Sequence, residues 1–181
     1  MIFITLIKSS NPLTLSLPAN SKIYFRADTT GWCVPFATTH LKGTYDTLGG
    51  NIMSLLYGAN FTGEEINLRR RYDGEVGSTF KYIFADNTVL ADASNLLLPA
   101  VRNGRDDYEG MFRGCTALVN APRLRAKFAA GYVRMFHNCT SLESITLPFV
   151  GHTKDLTYDD NGNRFRDIFG YYYPEGLKEV I

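Results

Sequence analysis

The sequence predicts an α+β solenoid, a stack of short strands and short helical or 3₁₀ turns with a small β cap at its N-terminal end. Three observations predict it. A five-residue phrase, aromatic-x-x-Ile/Met-Phe, occurs as Phe80-Lys81-Tyr82-Ile83-Phe84, Tyr108-Glu109-Gly110-Met111-Phe112, Tyr132-Val133-Arg134-Met135-Phe136 and Phe165-Arg166-Asp167-Ile168-Phe169. Counted Phe to Phe, the copies are 28, 24 and 33 residues apart, a period at which repeat architectures stack one unit on the next. The residues after the phrase repeat as well: Phe112-Arg113-Gly114-Cys115-Thr116-Ala117-Leu118 matches Phe136-His137-Asn138-Cys139-Thr140-Ser141-Leu142.

The chain opens Met1-Ile2-Phe3-Ile4-Thr5-Leu6-Ile7 and breaks at Lys8-Ser9-Ser10-Asn11-Pro12. It has no basic n-region, so it reads as a β-strand and not as a signal peptide. Leu13-Thr14-Leu15-Ser16-Leu17 and Lys22-Ile23-Tyr24-Phe25-Arg26 alternate on either side of a turn signal at Asn20-Ser21. Residues 1–48 are therefore expected to form the β cap, and 49–181 about four to five coils. Ile52, Leu55 and Leu56 stand 28 residues before Phe80, Ile83 and Phe84, the pattern of a degenerate first coil.

Within the phrase, apolar residues at i, i+3 and i+4 make one face of a helical turn. A tight turn is expected next, at Cys115-Thr116, Cys139-Thr140 and, in the earlier copy, Asn87-Thr88. Asn or Cys there can satisfy main-chain groups that the stack would bury unpaired. The two Cys fall in one slot of successive coils, as buried small side chains or as a disulfide between coils. Short strands ending at proline follow: Leu96-Leu97-Leu98-Pro99, Ala121-Pro122-Arg123-Leu124 and Ser144-Ile145-Thr146-Leu147-Pro148. The extra residues of the longer copies, 101–107 and 151–163, are polar and turn-rich and read as surface loops. In the last copy Leu177 would take the Leu slot.

Met-Phe-x-x-Cys-Thr-x-Leu, present twice with a Pro-containing strand after each, resembles the BspA-like leucine-rich repeats. The resemblance covers roughly residues 50–181 and is clearest over 108–148. Residues 50–61 and Ile23-Tyr24-Phe25-Arg26 also resemble what precedes such repeats in Bacteroides-type proteins. The resemblance implies a right-handed, leucine-rich-repeat-like solenoid and a non-catalytic binding or adhesion role at a cell surface, with a protein or glycan as partner. The copies here are few and uneven, and no signal peptide is evident. A structural or receptor-facing protein of a bacteriophage virion needs no such signal and is the alternative reading.

Bulk composition is consistent with a binding protein of either kind. Lys plus Arg number 19 and Asp plus Glu 18, a net charge of +1 that exerts no general pull on nucleic acid. No apolar run reaches the roughly 20 residues of a membrane span. The three Cys form no C-x-x-C, and the three His form no H-E-x-x-H, so no metal or cofactor is expected. Nothing resembles G-x-S-x-G, and no enzyme chemistry assembles from the motifs. Tyr158-Asp159-Asp160-Asn161-Gly162-Asn163 reads as an Asn-Gly turn. In a calcium-loop register it would put Thr157 and Ile168 at positions that need acidic oxygen ligands.

Three places are left for a partner. Arg69, Arg70 and Arg71 form a basic run beside Tyr72, offset by Glu64, Glu65, Asp73 and Glu75. Tyr171, Tyr172 and Tyr173 cannot all face inward on one regular element, and an exposed Tyr offers rigid amphipathic contact area. Val180 and Ile181 end an apolar last coil, which a second copy or another chain is expected to cover.

Overall fold

The computed structural model describes residues 2–6, 16–27, 41, 43–64, 80–99, 108–125, 132–146, 168–169 and 179–180. Six strands lie in them: β1 (Ile2–Leu6), β2 (Ile23–Ala27), β3 (Thr47–Asn51), β4 (Asp92–Leu97), β5 (Ser144–Ile145) and β6 (Glu179–Val180). One short helix, α1 (Ser54–Tyr57), runs into a 3₁₀ turn over Gly58–Asn60. Every strand pair is parallel: β1 with β2, β3 with β4, and β5 with β6. Parallel bridges from Asp92 to Asn120 and from Asn120 to Ser144 join β4 to β5. In the middle copy the strand shrinks to the Asn120 bridge, because Pro122 two residues on has no N–H for a ladder.

Successive copies of the phrase lie one above another. Its first slot stacks Phe80 on Tyr108 (ring centroids 6.0 Å apart) and Tyr108 on Tyr132 (5.7 Å). The last slot stacks Phe84 on Phe112 (5.6 Å) and Phe112 on Phe136 (5.7 Å), with Phe169 tilted against Phe136 at 6.5 Å. Ile83, Met111, Met135 and Ile168 fill the slot between, and Leu90, Leu118 and Leu142 form a further buried column. These columns, with Leu96, Leu98, Leu124 and Ile145 from the strand side, are the core.

Of the short helix or 3₁₀ turn expected for the phrase, the i to i+3 bonds are present but no continuous helix is. The phrase is a run of tight turns closed by such bonds, among them Met111 N–H to Tyr108 O (3.1 Å) and Cys115 N–H to Phe112 O (3.0 Å). Its third residue is left-handed in each described copy: Tyr82 (φ 57°), Gly110 (57°) and Arg134 (54°). Asp86, Gly114 and Asn138 are left-handed again four residues later. A helix cannot pass through such residues. The reversals free alternate N–H groups to reach the next copy. Tyr82, Phe84 and Asp86 donate to Glu109 O, Met111 O and Arg113 O, and Gly110, Phe112 and Gly114 donate to Val133 O, Met135 O and His137 O, all at 2.7–3.1 Å. Every one of these bonds runs from the earlier copy's N–H to the later copy's carbonyl.

The same relation corrects the register of the first copy. Leu41 N–H donates to Ile83 O at 2.8 Å, as Phe84 donates to Met111 O and Phe112 to Met135 O. Leu41 therefore occupies the Phe slot, with β3 as the strand that follows. Ile52, Leu55 and Leu56 are buried, but on the segment leaving that strand through α1. The boundary expected at 48/49 falls inside β3.

The N-terminal segment also differs from expectation. A turn does form at Asn20 (φ 64°), closed by Ser21 N–H to Pro18 O at 3.2 Å. Residues 16–18, the described end of the 13–17 alternation, are not strand. The partner of β2 is β1, in parallel register from Ile2↔Ile23 to Leu6↔Ala27. α1 lies against β2, which brings this pair beside the first copy.

Candidate functional site

The residues fixed between copies are consumed by packing and by main-chain satisfaction. Cys115 and Cys139 are both free thiols, which removes the disulfide between coils. Each thiol donates to the preceding copy's Phe carbonyl: Cys115 Sγ to Phe84 O (3.2 Å) and Cys139 Sγ to Phe112 O (3.0 Å). Burial pushes the Cys115 thiol up to about 12 and raises Cys139 well above its ordinary value. Asn87, in the same slot, accepts from Val89 N–H and Leu90 N–H at 3.1 Å each through Oδ1 and donates from Nδ2 to Tyr45 O at 3.2 Å. The Tyr45 hydroxyl in turn donates to Leu41 O at 2.6 Å, and burial raises its pKa to about 12.

A second buried polar group joins the first two full copies. Glu109 accepts from the Tyr82 hydroxyl at 2.8 Å and is ion-paired with Lys81. The Lys81 ammonium also stands over the Tyr82 ring, 5.3 Å from its centroid. The Tyr82 ring covers Gly110, where a Cβ would collide with it. The ring requires glycine there, and the left-handed φ, which Tyr82 and Arg134 share with side chains in place, favours it.

On the strand side, polar positions of successive copies stand in register through their main chains. Thr47 pairs with Asp92, Asp92 with Asn120, Asn120 with Ser144, and Ser144 with Glu179. At the parallel-strand spacing of about 4.8 Å, the five positions cover about 19 Å. Thr47, Asn120 and Ser144 are exposed and Asp92 is half-buried, with Ser94 and Asn95 exposed one step further along β4. Asp92 Oδ1 accepts from Ser94 N–H at 2.8 Å, and hydrogen bonding to Ser94 holds this carboxyl below its usual range. The row was readable in the sequence: the second residue after each repeat Leu (Leu90, Leu118, Leu142) is Asp, Asn or Ser.

On the turn side, Arg113 and Arg134 are exposed and His137, in the repeat slot of Arg113, is half-buried. Among the described residues no group of three His, Cys, Asp or Glu could hold a metal ion.

Of the partner positions expected from sequence, Arg69, Arg70, Arg71, Tyr171, Tyr172, Tyr173 and Ile181 lie outside the described residues, as do residues 151–163. Val180 belongs to β6 and pairs through its main chain with Ile145. No helix among the described residues is long and apolar enough to cross a membrane. No protein-family model, curated protein or solved structure matches the chain.

Proposed function

We propose that this chain is a non-catalytic binding module, a BspA-like, leucine-rich-repeat-like solenoid that recognises a protein or glycan partner with its strand face. The observation that carries the reading is the registered polar row Thr47, Asp92, Asn120 and Ser144. It offers hydroxyl, amide and carboxylate groups at one main-chain spacing. Parallel pairing holds their backbones, so little ordering cost attends binding. The residues that repeat best supply packing, which leaves the variable face for recognition.

The test is a glycan array, followed by calorimetry on its best hits, with wild type beside Asn120→Arg and Ser144→Arg. Both positions are exposed, so melting temperature should stay within about 2 °C of wild type, as for ordinary surface substitutions. Affinity should fall about tenfold or more in each. A ligand bound equally by wild type and both variants would place recognition elsewhere and remove this reading.

A further inference from the structure

The turn side carries a feature that the strand face does not explain. Arg113 and His137 occupy one slot of adjacent copies, directly after Phe112 and Phe136. The copies are held together there by Phe112 N–H to Met135 O (2.9 Å) and Gly114 N–H to His137 O (2.8 Å). Arg134 is one tight turn before His137, closed by His137 N–H to Arg134 O at 3.1 Å. Three basic side chains thus leave the backbone within one turn and one inter-copy step of about 4.8 Å. Neither guanidinium is paired with a carboxylate among the described residues. Asp86, on the preceding copy, lies against Gly114 and makes no ion pair with Arg113.

A further observation marks the cluster as unfinished. His137 Nδ1 is buried with no hydrogen-bond partner, an arrangement folded proteins rarely leave standing. Arg134 sits at φ 54°, in the slot filled by Tyr82 and Gly110, both at 57°, in the earlier copies. Burial, then Arg113, then Arg134 hold His137 below its ordinary pKa.

We propose that Arg113, Arg134 and His137 form a binding site for a tetrahedral oxyanion, a sulfate or phosphate group. Each guanidinium presents a fork of N–H donors matched to paired oxygens. The imidazole adds a third donor once Nδ1 carries a proton. Donors arriving from two copies and a turn suit an ion with more than two oxygens, and a bound dianion would satisfy Nδ1 and offset the repulsion between the guanidiniums. The inference stands apart from the strand-face reading, since the two features lie on different segments of each copy.

The experiment follows the His137 ring signals by NMR at pH 7 while sodium sulfate replaces sodium chloride at constant ionic strength. The expected result is a saturable shift with a rise in the His137 pKa. Arg134→Gly and Arg113→Gln should each weaken sulfate binding about tenfold, the loss of one charge-assisted contact. Arg134→Gly suits its own backbone, so it should melt no lower than wild type. A second arm uses a sulfated oligosaccharide: binding tighter than inorganic sulfate assigns the site to glycan-borne sulfate, while equal or weaker binding assigns it to the free ion. Equal shifts in chloride and sulfate, or an unchanged affinity in Arg134→Gly, overturn the proposal.

Discussion

Asn87 and Cys115 occupy one slot of adjacent copies, and each donates to a main-chain carbonyl of the copy before it, Tyr45 O and Phe84 O, at 3.2 Å. The two chemistries are not equivalent. The thiol donates one weak bond, whereas Asn87 also closes its own turn by accepting from Val89 and Leu90. Asn87→Ala orphans the buried Leu90 N–H and should cost about 2 kcal/mol, read from denaturant midpoints at unchanged slope.

The aromatic ladder predicts where truncation hurts. Phe112 is stacked on both sides, by Phe84 and Phe136. Phe112→Ala should cost about 3–5 kcal/mol as a core truncation. A double-mutant cycle with Phe136→Ala should show coupling of about 0.5–1.5 kcal/mol. Unchanged melting in Phe112→Ala would rule out the stacking.

Gly110→Ala meets both a left-handed backbone and the Tyr82 ring. The backbone term alone is about 1–2 kcal/mol. Adding Tyr82→Ala should recover part of the loss, so the pair should be less damaging than the sum of the singles. Additive losses would mean the ring is not the obstacle.

The pH dependence has a definite sign. His137 has its folded pKa below its unfolded value, so below about pH 6.5 the unfolded chain binds the proton that the folded chain resists. Stability should therefore fall as pH drops from 7.5 to 5. His137→Asn should flatten this slope in denaturant titrations, by a modest amount because solvent screens a half-exposed ring.

Cys115 and Cys139 are fully buried, with raised pKa values, so the thiolate is scarce and shielded. Iodoacetamide at pH 8 should leave both unmodified by peptide mass spectrometry until denaturant is added. Rapid labelling of either in the native protein would contradict this burial.

Much of this architecture could be read from spacing. Slots filled by Phe80, Tyr108 and Tyr132, or by Phe84, Phe112 and Phe136, repeat in sequence because they stack in space. The turn chemistry misled. Apolar residues at i, i+3 and i+4 fit a helical turn, yet paired tight turns produce the same facing. Gly110, Gly114, Asp86 and Asn138 carried the correcting signal, since Gly, Asp and Asn tolerate left-handed backbone. Leu41 could not be placed by pattern, because it stands outside any recognisable phrase and only its bond to Ile83 reveals its slot. The pairing of β1 with β2 is likewise non-local and left no turn signature. The trio of Arg113, Arg134 and His137 escaped notice because two of its members sit at variable positions that mean little until adjacent copies are aligned in space.

The one-way hydrogen bonds of the phrase have an electrical consequence. From Leu41 through Phe136, these amides point their hydrogens toward the higher-numbered copy and accept from the lower-numbered one. Peptide dipoles aligned head to tail add, as they do along a helix. The turn side is therefore polarised along the stacking direction, with its positive pole toward the later copies. Lengthening the array by one copy would extend that pole without changing its sign, and acidic side chains are favoured near it, basic ones near Leu41.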